Sequence, residues 1–241
     1  MKNINYCFGP IPSRRLGKSI GISPIPKGHC NYSCIYCQLG RTRCMTNSRE
    51  EYFNCQDIVN EFKEYVDNDV NFDVATIVGE GEPLLYSKIG NLIDELKNIT
   101  DKPIAVITNG ALLDNSQVRK ELLHADIVLP SLDATDEEMF KKINRPYGNI
   151  KFDKIVEGLK DFSNEYNGQI WLEIMLVKDV NDSKETLSKF KEMLSSIRYD
   201  RLYINSPVRP PAEESTKPLS KEEIHEAASF LGGISIDELA K

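Results

Sequence analysis

Short apolar runs rich in β-branched residues alternate along this chain with longer segments whose apolar residues recur at three- and four-residue spacing. The first pattern predicts strands over Ser19 to Ile25, Asp73 to Val78, Pro103 to Thr108, Asp126 to Ser131, Gln169 to Val177 and Asp200 to Asn205. The second predicts helices near Gln56 to Asp69, Ser87 to Asn98, Asn115 to His124, Phe152 to Tyr166, Ser183 to Ile197 and Ser220 to Leu231. Local signals mark several edges: Asp182-Ser183 before Lys184, Ser220 three residues ahead of Glu223 as a capping box, and Gly232-Gly233 as a stop. Strand and helix in regular alternation imply an α/β fold with a parallel sheet and right-handed crossovers. Six such units fall short of a full barrel, so the expected architecture is a partial (β/α)6 TIM-like barrel in a single domain, with a doubly wound open sheet as the alternative.

Two stretches follow neither period. Gly9 to Gly17 precedes the first strand, and Pro207 to Pro218 holds four of the chain's 12 prolines. Loops after strand C-termini build the active sites of barrels, so the flanks 1–18 and 207–241 are expected to cover the mouth of one domain spanning 1–241. At 241 residues and 40% hydrophobic, the chain can bury one good core. No run approaches the roughly 18 apolar residues of a membrane helix, and the start has no signal-peptide pattern, so a cytoplasmic protein without a membrane partner is expected. A net charge of -7 gives no overall grip on nucleic acid, although RRLGK (Arg14, Arg15, Lys18) forms a small basic cluster.

Six cysteines in such a chain point to metal or redox chemistry before disulfides. The loop after the first predicted strand, 27–41, reads KGHCNYSCIYCQLGR, with Cys30, Cys34 and Cys37 as C-x3-C-x2-C. Three thiolates this close can each ligate one iron of a cubane and leave the fourth iron open. His29 beside Cys30 leaves a Cys3His zinc site as the competing reading.

The loop, with the aromatic Tyr36 before its last cysteine, resembles the signature of the radical S-adenosylmethionine (SAM) superfamily. That resemblance implies a 4Fe-4S cluster on Cys30, Cys34 and Cys37. It also implies S-adenosyl-L-methionine bound at the open iron and cleaved reductively to a 5'-deoxyadenosyl radical, which abstracts hydrogen from a substrate. GEGEP, from Gly79 through Gly81, Glu82 and Pro83, is similar to the family's glycine-glutamate-proline turn for the methionine ammonium. Asn109, Ser131, Asp133, Glu173 and Asn205 stand at the ends of successive strands. Polar side chains of these types suit ribose, adenine and carboxylate groups, and turn or capping roles are the alternative for each.

FGPIPSRRLGKSIG, CIYCQLGRT, INRPYGN, LVKDVND and INSPVRPPAE further resemble the radical SAM group that contains wyosine-base-forming tRNA enzymes and smaller relatives of unassigned function. Those tRNA enzymes carry an added three-cysteine cluster ahead of the signature loop. Here only Cys7 precedes it, and Cys44 and Cys55 follow, so a second cluster would need all three to converge. Arg14, Arg15, Arg145 and Arg209 lie in these family-like segments and suit a carboxylate or phosphate, or structural pairing with acids. The resemblance implies a separate flavodoxin or ferredoxin as electron donor and a small-molecule substrate, a modified nucleoside or tRNA. Competing functions are a glycyl-radical-enzyme activase and a zinc or iron-sulfur binding module without turnover.

Overall fold

The computed structural model describes residues 5–239. Six strands occupy the predicted positions: β2 (Gly17–Ile22), β5 (Val74–Ile77), β6 (Ile104–Thr108), β7 (Ile127–Pro130), β8 (Gln169–Met175) and β9 (Arg201–Asn205). They pair in parallel, in the order written. Between them run α1 (Cys55–Asp67), α2 (Ile89–Ile99), α3 (Ser116–Leu122), α5 (Phe152–Glu165) and α6 (Lys184–Leu194), with α7 (Lys221–Leu231) after β9. Side-chain caps start several of them, since an N-terminal turn leaves its amide donors unpaired. Asn54, Asn115 and Ser183 each accept from a backbone amide, and Ser220 and Glu223 close the expected capping box. Gly232, at φ 72°, ends α7 in the left-handed conformation that glycine adopts without strain.

Alternation along the strands divides the sheet into two faces. Ile20, Ile22, Ile77, Val106, Val128, Leu172 and Ile204 pack on the outside among the apolar residues of the helices. Residues of opposite parity, including Val74, Ala105, Leu129, Trp171 and Tyr203, form a second, smaller cluster inside. A sheet with helices on one face and itself on the other is barrel-like, which sets aside the doubly wound alternative. It does not close: β1 (Cys7–Ser13) and β10 (Ile234–Ser235) are its two edges.

Five strands and helices have no counterpart among the sequence expectations. Gly9 to Gly17, expected as irregular cover for the mouth, is the end of β1, the turn and the first residue of β2, paired antiparallel. Because β1 runs down β2, that turn lies at the end of β2 opposite the cysteine loop. It carries Leu16 into the inner cluster. Residues 221–235, expected as cover, instead extend the layers with α7 and with β10 parallel to β9. A short helix α4 (Glu137–Ile143), capped by Asp136, and a small parallel pair of β3 (His29–Cys30) with β4 (Cys44–Met45) complete the chain. The outermost parts of the expected covering flanks, 1–4 and 240–241, lie outside the described residues.

Candidate active site

Cys30, Cys34 and Cys37 stand in the loop that leaves the C-terminal end of β2, with free thiols. Backbone bonds lock this loop to two distant segments. Ser33 N donates to Asn144 O at 2.9 Å and Ile35 N to Ile143 O at 2.9 Å, while Glu213 N and Thr216 Oγ1 both donate to Ile35 O, at 3.0 and 3.1 Å. Glu213 also takes a two-pronged contact from Arg41, at 2.8 and 3.0 Å, and a third from Arg145. The guanidinium groups of Arg41 and Arg145 hold its carboxyl at about 2, far below the usual carboxylate range. Of the expected C-terminal cover, 209–216 therefore does meet the cysteine loop.

The sulfurs receive donors. Tyr32 N points at Cys30 Sγ at 3.4 Å, Asn109 Nδ2 at Cys30 Sγ at 3.7 Å, and Asn144 Nδ2 at Cys34 Sγ at 3.5 Å. Burial pushes the Cys30 thiol up to about 12 and raises Cys34 and Cys37 as well. A bound cation reverses that preference, because coordination deprotonates a thiol outright. Among the described residues, no three His, Cys, Asp or Glu side chains converge on a point that would hold one metal ion. A cubane asks for no such convergence, since it takes one thiolate per iron. Three closely spaced thiols with amide donors aimed at two of them fit that group.

The GEGEP turn is fastened to the same loop. Gly28 N donates to Glu80 O at 2.6 Å and Glu82 N to His29 O at 3.0 Å. A Cβ on Gly81 would stand 1.8 Å from His29 O, so only glycine permits this approach. Pro83 opens a short 3-10 turn, Pro83–Leu85, capped by Glu82. Glu82 is 2% exposed and accepts from Leu84 N at 2.9 Å, Thr108 Oγ1 at 2.6 Å and Asn109 N at 2.8 Å. Burial lifts its carboxyl to about 7 in spite of those donors. Glu80 lies outside and pairs with Lys27 at 3.1 Å.

The other expected residues fall into two sets. Tyr36, Asn109 and Asp133 are tied into the scaffold. The Tyr36 hydroxyl donates to Asp133, which also accepts from Asn144 Nδ2 at 2.8 Å and Met175 N at 3.0 Å, and Asn109 Nδ2 donates to Asn31 Oδ1 at 2.7 Å. Burial raises the Asp133 carboxyl. Ser131, Glu173 and Asn205 share the inner face by their parity with Leu129, Trp171 and Tyr203. Glu173 pairs with Arg15. Asn31 and Asn144 join the network although their residue types do not single them out in the sequence. Asn144 lies inside the INRPYGN segment, the one signal that points toward it.

The extra cysteines lie on three separate elements. Cys7 is buried on β1, where Glu61 of α1 accepts from its backbone amide, Cys55 opens α1, and Cys44 is exposed on β4. No second cluster is proposed on them.

Residues 25–190 match the model of the radical SAM superfamily. Over 224 residues the chain is 44% identical to a Brachyspira hyodysenteriae protein named GTPase Obg, an alignment that covers 93% of this chain and 33% of that one. The chain thus spans about a third of that relative's length. It is 38% identical to a UPF0026 protein of Methanocaldococcus jannaschii over 96% of this chain and 72% of the other. Among solved structures, TYW1 with a lysine-pyruvate adduct bound superposes with a TM-score of 0.63 at 22% identity, covering 88% of this chain and 72% of that one. A radical SAM methyltransferase from Sphaerobacter thermophilus gives 0.67 at 15% identity, over 90% of this chain and 65% of that one. These likenesses show a shared fold. With the family model matched across the cysteine loop and the strands that surround it, the chain belongs to the radical SAM superfamily.

Proposed function

We propose that the protein is an enzyme that holds a 4Fe-4S cluster on Cys30, Cys34 and Cys37 and cleaves SAM reductively. When bound, the cluster and SAM supply the one-electron chemistry that gives a 5'-deoxyadenosyl radical for hydrogen abstraction. The observation that carries this reading is the amide-donor set on the thiols. Asn109 and Asn144 aim N–H groups at Cys30 and Cys34, and such bonds stabilise thiolate sulfur and tune a cluster's potential.

The chain's own residues supply position and polarity. Gly81 brings backbone against the cysteine loop, Gly79 packs on the Ile25 side chain just ahead of it, and Glu82 with Pro83 fixes the turn and holds Asn109 by its backbone amide. Tyr36, within the loop, donates to Asp133 just past β7, and Asp133 in turn accepts from Met175 N of β8. Ser131, Glu173 and Asn205 offer polar groups on the inner face, where the ribose, adenine and carboxylate of SAM would lie. Hydrogen abstraction places the enzyme with oxidoreductases or lyases acting on a small molecule, a modified nucleoside or tRNA. The electron comes from a separate flavodoxin or ferredoxin in the cytoplasm. Among the described residues, no helix is long and apolar enough to cross a membrane.

Anaerobic reconstitution with iron and sulfide tests the cluster itself. The reading expects a brown protein with about four irons per chain and a reduced-state electron paramagnetic resonance signal that changes on adding SAM. Cys37→Ala should lower the iron content. A colourless protein that retains zinc would contradict it.

A further inference from the structure

Most polar side chains around the mouth are consumed by the scaffold. Both oxygens of Glu82, both of Asp133 and the side-chain amide of Asn109 are committed to protein partners. Four groups on the inner face are not. Among the described residues, Arg15 makes one side-chain hydrogen bond, from Nη1 to Glu173 Oε2, which leaves its Nε and Nη2 donors unused. Glu173 Oε1, Ser131 Oγ and Asn205 Nδ2 likewise have no partner, since Asn205 is engaged only through Oδ1, by Ser206 N. None of these atoms is among the enclosed atoms that lack a partner, so solvent reaches each of them.

Arg15 reaches this place by an unusual route. The β1–β2 turn inserts at the open seam of the barrel, where Arg14 pairs with Asp237 at 3.6 Å and Leu16 packs in the inner cluster. Arg15 therefore enters the lumen from the seam, opposite the sheet positions of Ser131 and Glu173, which sit side by side in a bridge between β7 and β8. The side chains of Arg15 and Glu173 are 19% and 12% exposed. A charged pair is costly to desolvate, and an apolar pair of similar shape would fill a purely structural position at less cost. A guanidinium with a free edge, beside a carboxylate with a free oxygen, is a complementary fork for a ligand that carries a carboxylate and an adjacent donor.

We propose that Arg15 is a carboxylate anchor in the barrel lumen. Its free Nε and Nη2 donors grip the acid group, and Glu173 Oε1 accepts from a neighbouring ammonium or hydroxyl. A small amino or hydroxy acid bound as substrate presents that chemistry. Its fate rests on the radical SAM reading, but its binding does not.

The test is equilibrium binding to the anaerobic, cluster-loaded protein. The probes are SAM, decarboxylated SAM, and the small acids alanine and lactate. The proteins are wild type, Arg15→Gln, Arg15→Lys and the charge-neutral double variant Arg15→Gln/Glu173→Gln, which leaves no unpaired buried charge should the single variant fail to fold. Charge-assisted bonds of this kind predict a loss of roughly tenfold or more for alanine or lactate in Arg15→Gln, with decarboxylated SAM unaffected and partial recovery in Arg15→Lys. A loss confined to SAM overturns the proposal, as does equal binding of every probe by wild type and both glutamine variants. If the wild type forms no 5'-deoxyadenosine yet shows the Arg15-dependent binding, the radical reading fails and the anchor stands.

Discussion

The side-chain nitrogen of Asn144 stands 3.5 Å from Cys34 Sγ and, at the same time, 2.8 Å from Asp133 Oδ2. One amide thus links the cysteine loop to the end of β7 and gives the sulfur a hydrogen-bond donor. Asn144→Ala removes that donor, and loss of an N–H to a cluster sulfur makes electron addition harder. The cluster's midpoint potential, read by redox titration under paramagnetic resonance, should move to more negative values. Stability should fall by about 1–3 kcal/mol, because Asp133 loses one of its buried donors. An unchanged potential in a folded, cluster-loaded variant would show that the contact does not reach the cluster.

Glu82 sets a pH dependence. Its carboxyl is raised from 4.5 to about 7 by burial, so the folded protein holds that proton more tightly than the unfolded chain does. Its contribution therefore favours folding at low pH, declines as pH rises from about 4.5 to about 7, and is constant above. Glu82→Gln cannot titrate. The difference in urea unfolding free energy between wild type and variant should change by on the order of 3 kcal/mol between about pH 5 and about pH 8, against the wild type at the higher pH. A difference that stays flat across that range would contradict the burial.

Gly81 is fixed by contact. The methyl carbon that Gly81→Ala adds would stand 1.8 Å from His29 O, which forces the GEGEP turn away from the cysteine loop. Overpacking of this kind costs about 1–3 kcal/mol or more, and iron content after reconstitution should fall well below that of the wild type. Gly148→Ala, with no atom within 4 Å of the added carbon, is the control that should keep both.

The clasp at Glu213 is electrostatic. Arg41 and Arg145 hold its carboxyl at about 2, so its contribution is complete above about 4.5 and is lost as pH falls toward 2. Glu213→Gln should leave the fold intact and speed hydrogen exchange at the amide of residue 213, which donates to Ile35 O and fastens segment 209–216 to the cysteine loop. In the wild type, added salt should raise the same exchange rate, because exposed pairs are screened. Exchange that responds to neither change would mean that the hydrogen bonds to Ile35 O alone secure this segment.

Much of the frame was legible because its signal is local. The strands from β5 to β9 are mostly buried on both faces and read as short runs dominated by apolar residues, and Ser220 with Glu223 announced α7. β1 was not legible, since Pro10 and Pro12 argue against a strand, and only its place at the sheet edge tolerates residues without an amide donor. α4 buries only Phe140 and Ile143, too few apolar positions for a period to emerge. Strand-end position found the site residues one by one. What it could not show is which of them the scaffold uses up. Glu82 and Asp133 are saturated by donors from remote segments, whereas Glu173 meets Arg15 from the other end of the chain, and such pairings exist only after folding.

Reductive cleavage of SAM is tested most directly by 5'-deoxyadenosine formation by the anaerobically reconstituted protein with SAM and dithionite, in parallel with Cys34→Ala. Cluster-dependent 5'-deoxyadenosine is expected from the wild type and none above background from the variant. A wild type that carries iron and sulfide but leaves SAM intact would contradict the proposed function.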